Sequence, residues 1–227
     1  MKVMIMWSGG VESTSLLKWY LENTSDEIFA HWVKMNNHEQ DRMPYEERAI
    51  KTLLPLLSDI RPFDYSMSEA DVSADHLMDY AIQYPLGALA MLQHQCQELY
   101  RGCCAEDQWS RNFYQTYPIM KKELRLTKGE SLERVILNAA ETIKPFLPPG
   151  VKIEDIIIIH EISYWPKTKH IQYLGELFKY TWSCRKPING KVCGECHSCL
   201  ERNIGFRGTS NIPEIAGRLA KETSDDK

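Results

Sequence analysis

The first fourteen residues read MKVMIMWSGGVEST (residues 1–14), and this stretch decides the fold. Residues 2–7 form a short apolar run that is typical of a buried strand, and the run ends in the turn signal Ser8-Gly9-Gly10. From Ser13 onward, apolar residues recur at helical spacing, and the polar residues from Asn23 onward close that helix. The opening therefore predicts a strand, a glycine turn and a helix, which together make the first unit of an α/β fold.

The same alternation of strands and helices continues along the chain. Further strands are predicted at residues 28–35, 60–65, 99–105 and 156–162, and further helices at residues 45–57, 74–97, 131–144 and 167–179. Pro55 is expected to end or kink the first of these helices, and Pro85 to break the second. Because crossover helices join parallel strands, the pattern predicts a doubly wound, mainly parallel sheet of about five strands.

Composition and charge exclude several classes of protein. The 227 residues carry 27 Lys and Arg against 31 Asp and Glu, whereas a strong nucleic-acid binder clusters basic residues. The longest apolar runs have about five residues, far fewer than the ~20 that span a bilayer. No secretory pattern is visible in residues 1–7, so the cytoplasm is the predicted compartment. We therefore expect a small-molecule substrate and no membrane partner.

The turn after the first strand has the chemistry of a phosphate site. Gly9 and Gly10 permit a tight backbone bend, and the amides that follow would face an anion at the positive end of the helix dipole. Ser8, Ser13 and Thr14 add hydroxyl donors. The pattern is neither the Walker motif nor the dinucleotide fingerprint. A glycine turn that merely starts a helix is the alternative.

Four of the seven cysteines lie within sixteen residues towards the other end of the chain. Cys184 is followed by Cys193, Cys196 and Cys199, and C-x-x-C spacing lets thiolates share one tetrahedral ion. We therefore predict a closed structural zinc site, with an iron–sulfur cluster, unliganded core thiols and redox use of one cysteine as the alternatives. Because the cysteine count is odd and no secretory signal is visible, a disulfide framework is not expected.

Both motifs resemble those of known enzymes. Residues 8–14 resemble the pyrophosphatase loop Ser-Gly-Gly-x-Asp-Ser of enzymes that cleave ATP to AMP and pyrophosphate, with Glu12 in place of Asp. The loop and the cysteine cluster together resemble the layout of the 7-cyano-7-deazaguanine synthase (QueC) family. The match is specific at Thr181-Trp182-Ser183-Cys184 and at Cys193-Gly194-Glu195-Cys196-His197-Ser198-Cys199. Residues 83–86 and 109–114 depart from the family pattern.

The resemblance implies a domain layout and a reaction. Residues 1–180 would form an adenine nucleotide alpha hydrolase-like nucleotide-binding domain, residues 181–207 a four-cysteine zinc module, and residues 208–227 a C-terminal tail. The enzyme would be an ATP-dependent carbon–nitrogen ligase that adenylates 7-carboxy-7-deazaguanine and amidates it with ammonia. The product would be the amide or the nitrile 7-cyano-7-deazaguanine, formed with release of AMP and pyrophosphate. ATP, Mg²⁺ and Zn²⁺ are the implied cofactors, and a homodimer is the implied assembly.

The resemblance also implies roles for single residues. The expected catalytic residues are Ser8, Glu12, Ser13 and Lys167. The expected nucleotide-binding residues are Ser8, Gly9, Gly10, Val11, Glu12, Ser13, Thr14 and Lys167, and the expected substrate-binding residues are Glu106, Asp107, Trp109 and Trp182. Glu12, Glu106 and Asp107 are also candidates for holding magnesium. Five of these residues also have a structural interpretation. In it Lys167 starts a surface helix, the acids Glu106 and Asp107 cap the fourth strand, and the two tryptophans are core residues.

Three other functions stay open. A specialised homologue would stop at the amide, or conjugate the deazaguanine to a protein partner in antiviral defence; Glu12 and the altered middle of the chain favour this alternative. A non-catalytic module would hold a nucleotide in a degenerate loop and dock a partner through its zinc lobe. A tRNA thiolase is disfavoured by the negative net charge and by the commitment of all four cysteines to one ion.

Overall fold

A computed structural model describes residues 1–37, 42–72, 79–104, 144, 149, 157–158 and 160–207 of the protein. In these residues five strands form one parallel sheet in the order β3-β2-β1-β4-β5. The strands are β1 (Lys2–Met6), β2 (Glu27–Asn37), β3 (Asp64–Val72), β4 (Glu98–Arg101) and β5 (Ile157–Ile158). The predicted doubly wound, parallel α/β architecture is confirmed.

Helices cover both faces of this sheet. They are α1 (Val11–Asn23), α2 (Met43–Ser58), α3 (Asp79–Gln93), α4 (Lys167–Leu174) and α5 (His197–Arg207), with 3₁₀ turns at Glu161–Tyr164 and Gly175–Tyr180. Across the described ranges, none of the helices is long and apolar enough to cross a membrane.

The central strand β1 is buried on both faces. Val3, Ile5 and Trp7 pack with α1 and α2, while Met4 and Met6 face α3, as the two-residue alternation of a strand requires. Burial of each large apolar side chain contributes about 1.5–3 kcal/mol. The first residues of the chain therefore form the centre of the core and fix the position of the loop that follows.

The strand order reverses at β1. The chain adds β2 and β3 on one side of β1 and then returns to place β4 and β5 on the other. In open α/β sheets the carboxyl ends of the strands leave a crevice at such a reversal, and ligands bind there. The loop after β1 and the loop after β4 both open into this crevice.

Pro85 does not break α3, so that prediction is wrong. The helix runs unbroken through Pro85, although an interior proline costs about 3 kcal/mol and one backbone hydrogen bond. Tyr84, Ala88 and Met91 lie one helical turn apart and are almost fully buried in the core. Burial of this stripe offsets the cost of the proline. In α2 the helix likewise runs three residues past Pro55 before it ends.

Several predicted boundaries also move. The third strand begins at Asp64 rather than residue 60, and β4 ends at Arg101 rather than residue 105. Residues 161 and 162, predicted to be strand, belong to the 3₁₀ turn Glu161–Tyr164, and residues 175–179, predicted to be α-helix, are 3₁₀. The predicted helix at residues 131–144 lies outside the described residues, apart from Lys144.

Candidate functional site

A cavity opens at the point where the strand order reverses. The empty space between its walls is about 940 Å³, a volume that includes open solvent at the mouth. The lining includes Met6, His31, Val33 and Gln83, residues of the loop after β1, and residues of α2, α5 and the segment before the cysteine cluster.

The loop after β1 is shaped by its glycines. Gly9 has a φ of +72°, a conformation that glycine adopts without strain, and a Cβ there would lie 3.2 Å from Ala49 Cβ. The Ser8 amide donates to Ser13 Oγ over 3.3 Å, which closes the turn across the start of α1. The first turn of α1 therefore presents its amides beside the hydroxyls of Ser8 and Ser13, an arrangement that suits an anion.

Gly102, directly after β4, lies against the same turn. A Cβ on Gly102 would stand 2.5 Å from the Glu12 carbonyl carbon and from Ser13 Cα, closer than real contacts allow. Only glycine lets β4 approach α1 this closely. Two loops from neighbouring parallel strands therefore meet at the phosphate-binding turn.

Lys167 is buried at the side of this turn, only 3% exposed. Its Nζ contacts Glu12 Oε1 and lies 3.7 Å from Glu201 Oε2. Burial lowers the pKa of Lys167, while the Glu201 carboxylate acts in the opposite direction. The lysine thus joins three elements: α1 through Glu12, α4 through its own backbone, and α5 through Glu201.

The segment before the cysteine cluster is bonded to the loop. The Trp182 amide donates to the Gly9 carbonyl over 3.0 Å. The Trp182 ring stacks on Tyr45, with centroids 4.7 Å apart and planes 18° apart, and its indole N–H donates to the Cys184 carbonyl over 2.8 Å. Arg202 fixes α5 to the same segment, since its guanidinium donates to Thr181 Oγ1 over 2.8 Å.

A buried ion pair forms the far wall of the cavity. Arg42 Nε lies 3.2 Å from Glu46 Oε1, with side-chain exposures of 7% and 13%. Trp32 Nε1 donates to the other oxygen of Glu46 over 3.4 Å. Arg42 is the N-cap residue of α2, directly before Met43, and Glu46 lies one turn further along the helix.

Charge is concentrated in the cavity wall. Four cationic side chains (Arg42, Arg101, Lys167 and Arg185) and three anionic ones (Glu12, Glu46 and Glu201) line it. The wall therefore carries a net charge of +1 at neutral pH, in a chain whose formal net charge is −4. A cleft of opposite sign to the rest of the molecule favours anionic ligands.

His31 adds a neutral polar group at the end of the cavity near β2. Its Nδ1 is 2.8 Å from Ser66 Oγ and its Nε2 is 3.1 Å from Ser68 Oγ, both on β3. Burial is the main cause that lowers the pKa of His31 to about 4, with His94 adding to the shift. The ring is therefore uncharged at neutral pH.

The four cysteines of the C-terminal cluster converge. Their sulfur atoms all lie within 4.8 Å of one another, with 3.6 Å between those of Cys184 and Cys193. The Cys193 amide donates to Cys184 Sγ over 3.3 Å and the Cys196 amide to Cys193 Sγ over 3.2 Å. Such amides stabilise thiolates that bind a metal. The arrangement is that of a metal site.

The structure brings most of the predicted site residues together. Ser8, Gly10, Glu12, Ser13, Lys167 and Trp182 all line the cavity. The side chains of Val11 and Thr14 do not: Val11 packs against Ile171, and Thr14 Oγ1 accepts the Trp7 indole N–H over 3.1 Å. Lys167 is no surface residue, contrary to its structural alternative. Glu106, Asp107 and Trp109 lie outside the described residues.

Sequence reasoning missed Arg42, Glu46, Arg185 and Glu201, and it noted Gly102 only as the start of residues 102–107, which resemble a Gly-x-x-x-x-Asp segment of the family. Arg42 and Gly102 each follow the carboxyl end of a parallel strand, and that position is a usable signal for a site residue. Glu201 carries no such signal, because its partner Lys167 lies thirty-four residues earlier in the chain.

The parallel sheet, the glycine loop at its reversal and the C-terminal cysteine cluster define a nucleotide-binding α/β protein of the PP-loop type. The structure of the U34-tRNA thiolase NcsA from Methanococcus maripaludis with its [4Fe-4S] cluster shares this fold, with a TM-score of 0.50 and 12% identity. That likeness covers 95% of this chain and 66% of the NcsA chain.

Sequence comparison then gives the family. The family profile "Queuosine biosynthesis protein QueC" matches residues 88–210, and the chain belongs to the QueC family. The 7-cyano-7-deazaguanine synthase of Buchnera aphidicola is 22% identical over 97% of both chains, and that of Caldicellulosiruptor saccharolyticus is 24% identical over 91% of both. The synthase of Leptospira interrogans is 47% identical over 45 residues, 18% of this chain and 19% of its own.

Proposed function

We propose that the protein is an ATP-dependent ligase that acts on 7-carboxy-7-deazaguanine. A carboxylate oxygen of the substrate attacks the α-phosphorus of ATP, the bond to the β-phosphate breaks, and pyrophosphate leaves. Ammonia then attacks the acyl carbon of the adenylate, loses a proton and expels AMP to give the amide. A second ATP, used in the same way on the amide oxygen, leads to the nitrile with loss of AMP and pyrophosphate.

The observation that carries this proposal is the shared wall of one cavity. The Ser8-to-Ser13 turn, the buried Lys167, the cationic side chains and the flat Trp182 ring all line this cavity. A reaction between ATP and an acid needs both reactants in one site, held at reacting distance. The names of the matched relatives supply the identity of that acid.

The residues of the chain have separate tasks in this reaction. The amides at the start of α1 and the hydroxyls of Ser8 and Ser13 would hold the leaving pyrophosphate. The Lys167 ammonium would stabilise charge that develops on the phosphate oxygens. Glu12 would hold the magnesium ion that accompanies ATP, and that ion would neutralise phosphate charge.

We further propose that the cysteine cluster holds zinc. For a zinc–sulfur bond of about 2.3 Å, sulfurs at the corners of a tetrahedron lie about 3.8 Å apart. The distances of 3.6 Å and 3.9 Å that Cys193 Sγ makes to Cys184 Sγ and Cys199 Sγ fit one ion. NcsA carries a [4Fe-4S] cluster, so iron is the alternative. In such a cluster each thiolate binds a different iron, which separates the sulfurs further.

The test of the function is a product assay. The purified protein is incubated with ATP, Mg²⁺ and ammonium, with and without 7-carboxy-7-deazaguanine, and nucleotides and bases are resolved by mass spectrometry. We expect AMP and pyrophosphate only when the acid is present, with the amide or nitrile appearing in step. ATP binding without any acid-dependent AMP would overturn the proposal. Metal analysis of the same sample should give one zinc per chain and no iron.

A further inference from the structure

The buried pair Arg42–Glu46 needs an explanation beyond stability. Both side chains are mostly removed from water, and the cost of desolvating two charges roughly cancels their attraction. A hydrophobic pair of similar size would serve the fold as well. The pair nevertheless lies in the wall of the cavity, and Trp32 and Arg42 hold the two Glu46 oxygens from different sides.

The pair offers a specific hydrogen-bonding pattern. A carboxylate accepts hydrogen bonds at both oxygens and at several lone pairs, while a guanidinium only donates, through a planar fork. Arg42 and Glu46 therefore present acceptors next to donors on one edge of α2. Trp182, stacked on Tyr45 from the same helix, adds a flat surface to this end of the cavity.

That pattern is the complement of a guanine-type ring. Its pyrimidine edge carries a ring N–H and an amino group, both donors, beside a carbonyl oxygen. A carboxylate can accept from both donors while an arginine donates to the carbonyl. An adenine ring has an acceptor nitrogen where guanine has the ring N–H, so a carboxylate would meet a lone pair there.

The orientation also fits the reaction. In 7-carboxy-7-deazaguanine the carboxylate is on the five-membered ring, away from the pyrimidine edge. A ring with that edge at Arg42 and Glu46 points its carboxylate away from α2. The glycine turn after β1 lines the same cavity.

We infer that Arg42 and Glu46 bind the pyrimidine edge of the deazaguanine, with Trp182 against the ring face, and so select the base of the acid substrate. This inference rests on the proposed function and names the part of the cavity that the acid occupies.

The test compares two ligands on three proteins. The ligands are 7-carboxy-7-deazaguanine and its analogue without the 2-amino group, and the proteins are wild type, Glu46→Gln and Glu47→Gln. Glu47 is the matched control, because it is the next residue of the same helix, pairs with Lys51 at 2.6 Å and does not line the cavity. Affinities are measured by calorimetry, with ATP as a third ligand.

Wild type should bind 7-carboxy-7-deazaguanine at least about tenfold more tightly than the analogue. The analogue lacks the amino group that would donate to the buried Glu46 carboxylate. Glu46→Gln should bind the parent about tenfold or more weakly and lose most of the preference. ATP affinity should stay within about twofold of wild type, and Glu47→Gln should match wild type throughout.

The results distinguish a failure of this inference from a failure of the proposed function. Equal binding of the two bases by wild type overturns the inference on its own, even if Glu46→Gln does not fold. An unchanged preference in Glu46→Gln, or a loss of ATP affinity in place of base affinity, also overturns it. In each of these cases acid-dependent AMP release by wild type would leave the proposed function standing. If wild type binds neither base and releases no AMP, the proposed function fails as well.

Discussion

Gly102 shows how much of the site depends on one atom. Its Cα lies where β4 ends, and a single added carbon would collide with the backbone of Glu12 and Ser13. The neighbour is backbone at the start of a buried helix, so no side-chain rotation relieves the clash. Any shift of the end of β4 therefore also displaces the turn after β1.

The variant Gly102→Ala should lower the free energy of unfolding by about 1–3 kcal/mol and weaken ATP binding by about tenfold or more. The control Gly175→Ala introduces strain at a φ of +55° but meets no atom within 4 Å. It should cost about 1–2 kcal/mol with ATP affinity unchanged. Urea titration and calorimetry measure both quantities, and equal ATP losses in the two variants would contradict the argument.

His31 should make the fold sensitive to acid. Its pKa falls from 6.5 to about 4 on folding, so between these values the unfolded chain binds more protons and stability decreases as the pH falls. From pH 6.5 to 5 this loss is roughly 2 kcal/mol. The variant His31→Gln should lose correspondingly less over the same interval in urea titrations. An identical pH dependence in both proteins would show that folding does not lower the pKa of His31.

Some residues of the candidate site could not be predicted from sequence because their environment exists only after folding. Ser8, Glu12 and Ser13 were identified because one short motif contains them. Glu201 looks like any helical glutamate until α5 brings it within 3.7 Å of Lys167. Arg42 and Glu46 resemble an exposed i,i+4 pair, and only the packing of α2 over Trp32 buries them.

At the level of elements, α5 supports the buried end of α4. Glu201 is on α5 and only 5% exposed, and Arg202 beside it holds α5 to Thr181. The Glu201 carboxylate favours the charged form of Lys167, against the burial that lowers the pKa of Lys167. Helix α5 therefore helps to keep the lysine cationic beside the glycine turn after β1.

The variant Glu201→Gln should lower the pKa of Lys167 further. Because a lysine loses its charge as the pH rises through its pKa, the decline of ATP affinity at alkaline pH should begin at a lower pH than in wild type. Glu195→Gln, at an exposed position of the same module, is the control and should keep the wild-type profile. Superimposable pH profiles for all three proteins would rule out this role for Glu201.

Elements were predictable where apolar pattern alone determines them. The strand–loop–helix unit at the start of the chain is correct because β1 is central and buried on both faces. The third strand was misplaced because β3 is at the edge of the sheet, where residues 64–71 are all exposed or half-buried. An edge strand needs no apolar run, so its sequence resembles a loop. The predicted break at Pro85 is wrong because burial of the apolar face of α3 outweighs the low helix propensity of proline.

For the whole molecule, the cysteine cluster and the nucleotide site form one structure. Trp182 donates to Gly9 two residues before the first cysteine ligand, and Glu201 pairs with Lys167 two residues after the last. Binding of a metal orders both ends of this segment at once, and structural zinc contributes about 10–16 kcal/mol in small domains. Metal loading and nucleotide binding should therefore be linked.

The variant Cys199→Ser should lose metal, melt at lower temperature and bind ATP about tenfold or more weakly. Cys96→Ser is the control: burial raises the pKa of the Cys96 thiol to about 11, and its side chain packs in the core away from the cluster. That variant should keep its metal and its ATP affinity. Full ATP affinity in metal-free Cys199→Ser would separate the two sites.

The hydrogen bond between Trp182 and Gly9 also sets an order of events during biosynthesis. The ribosome translates the Trp182 amide, which donates to the Gly9 carbonyl, more than one hundred and sixty codons after Gly9 itself. The hydrogen bond that closes the glycine turn is consequently formed late in synthesis. In a nascent polypeptide stalled before codon 182, the sheet can already form around β1. The glycine turn would still lack the hydrogen bond from Trp182.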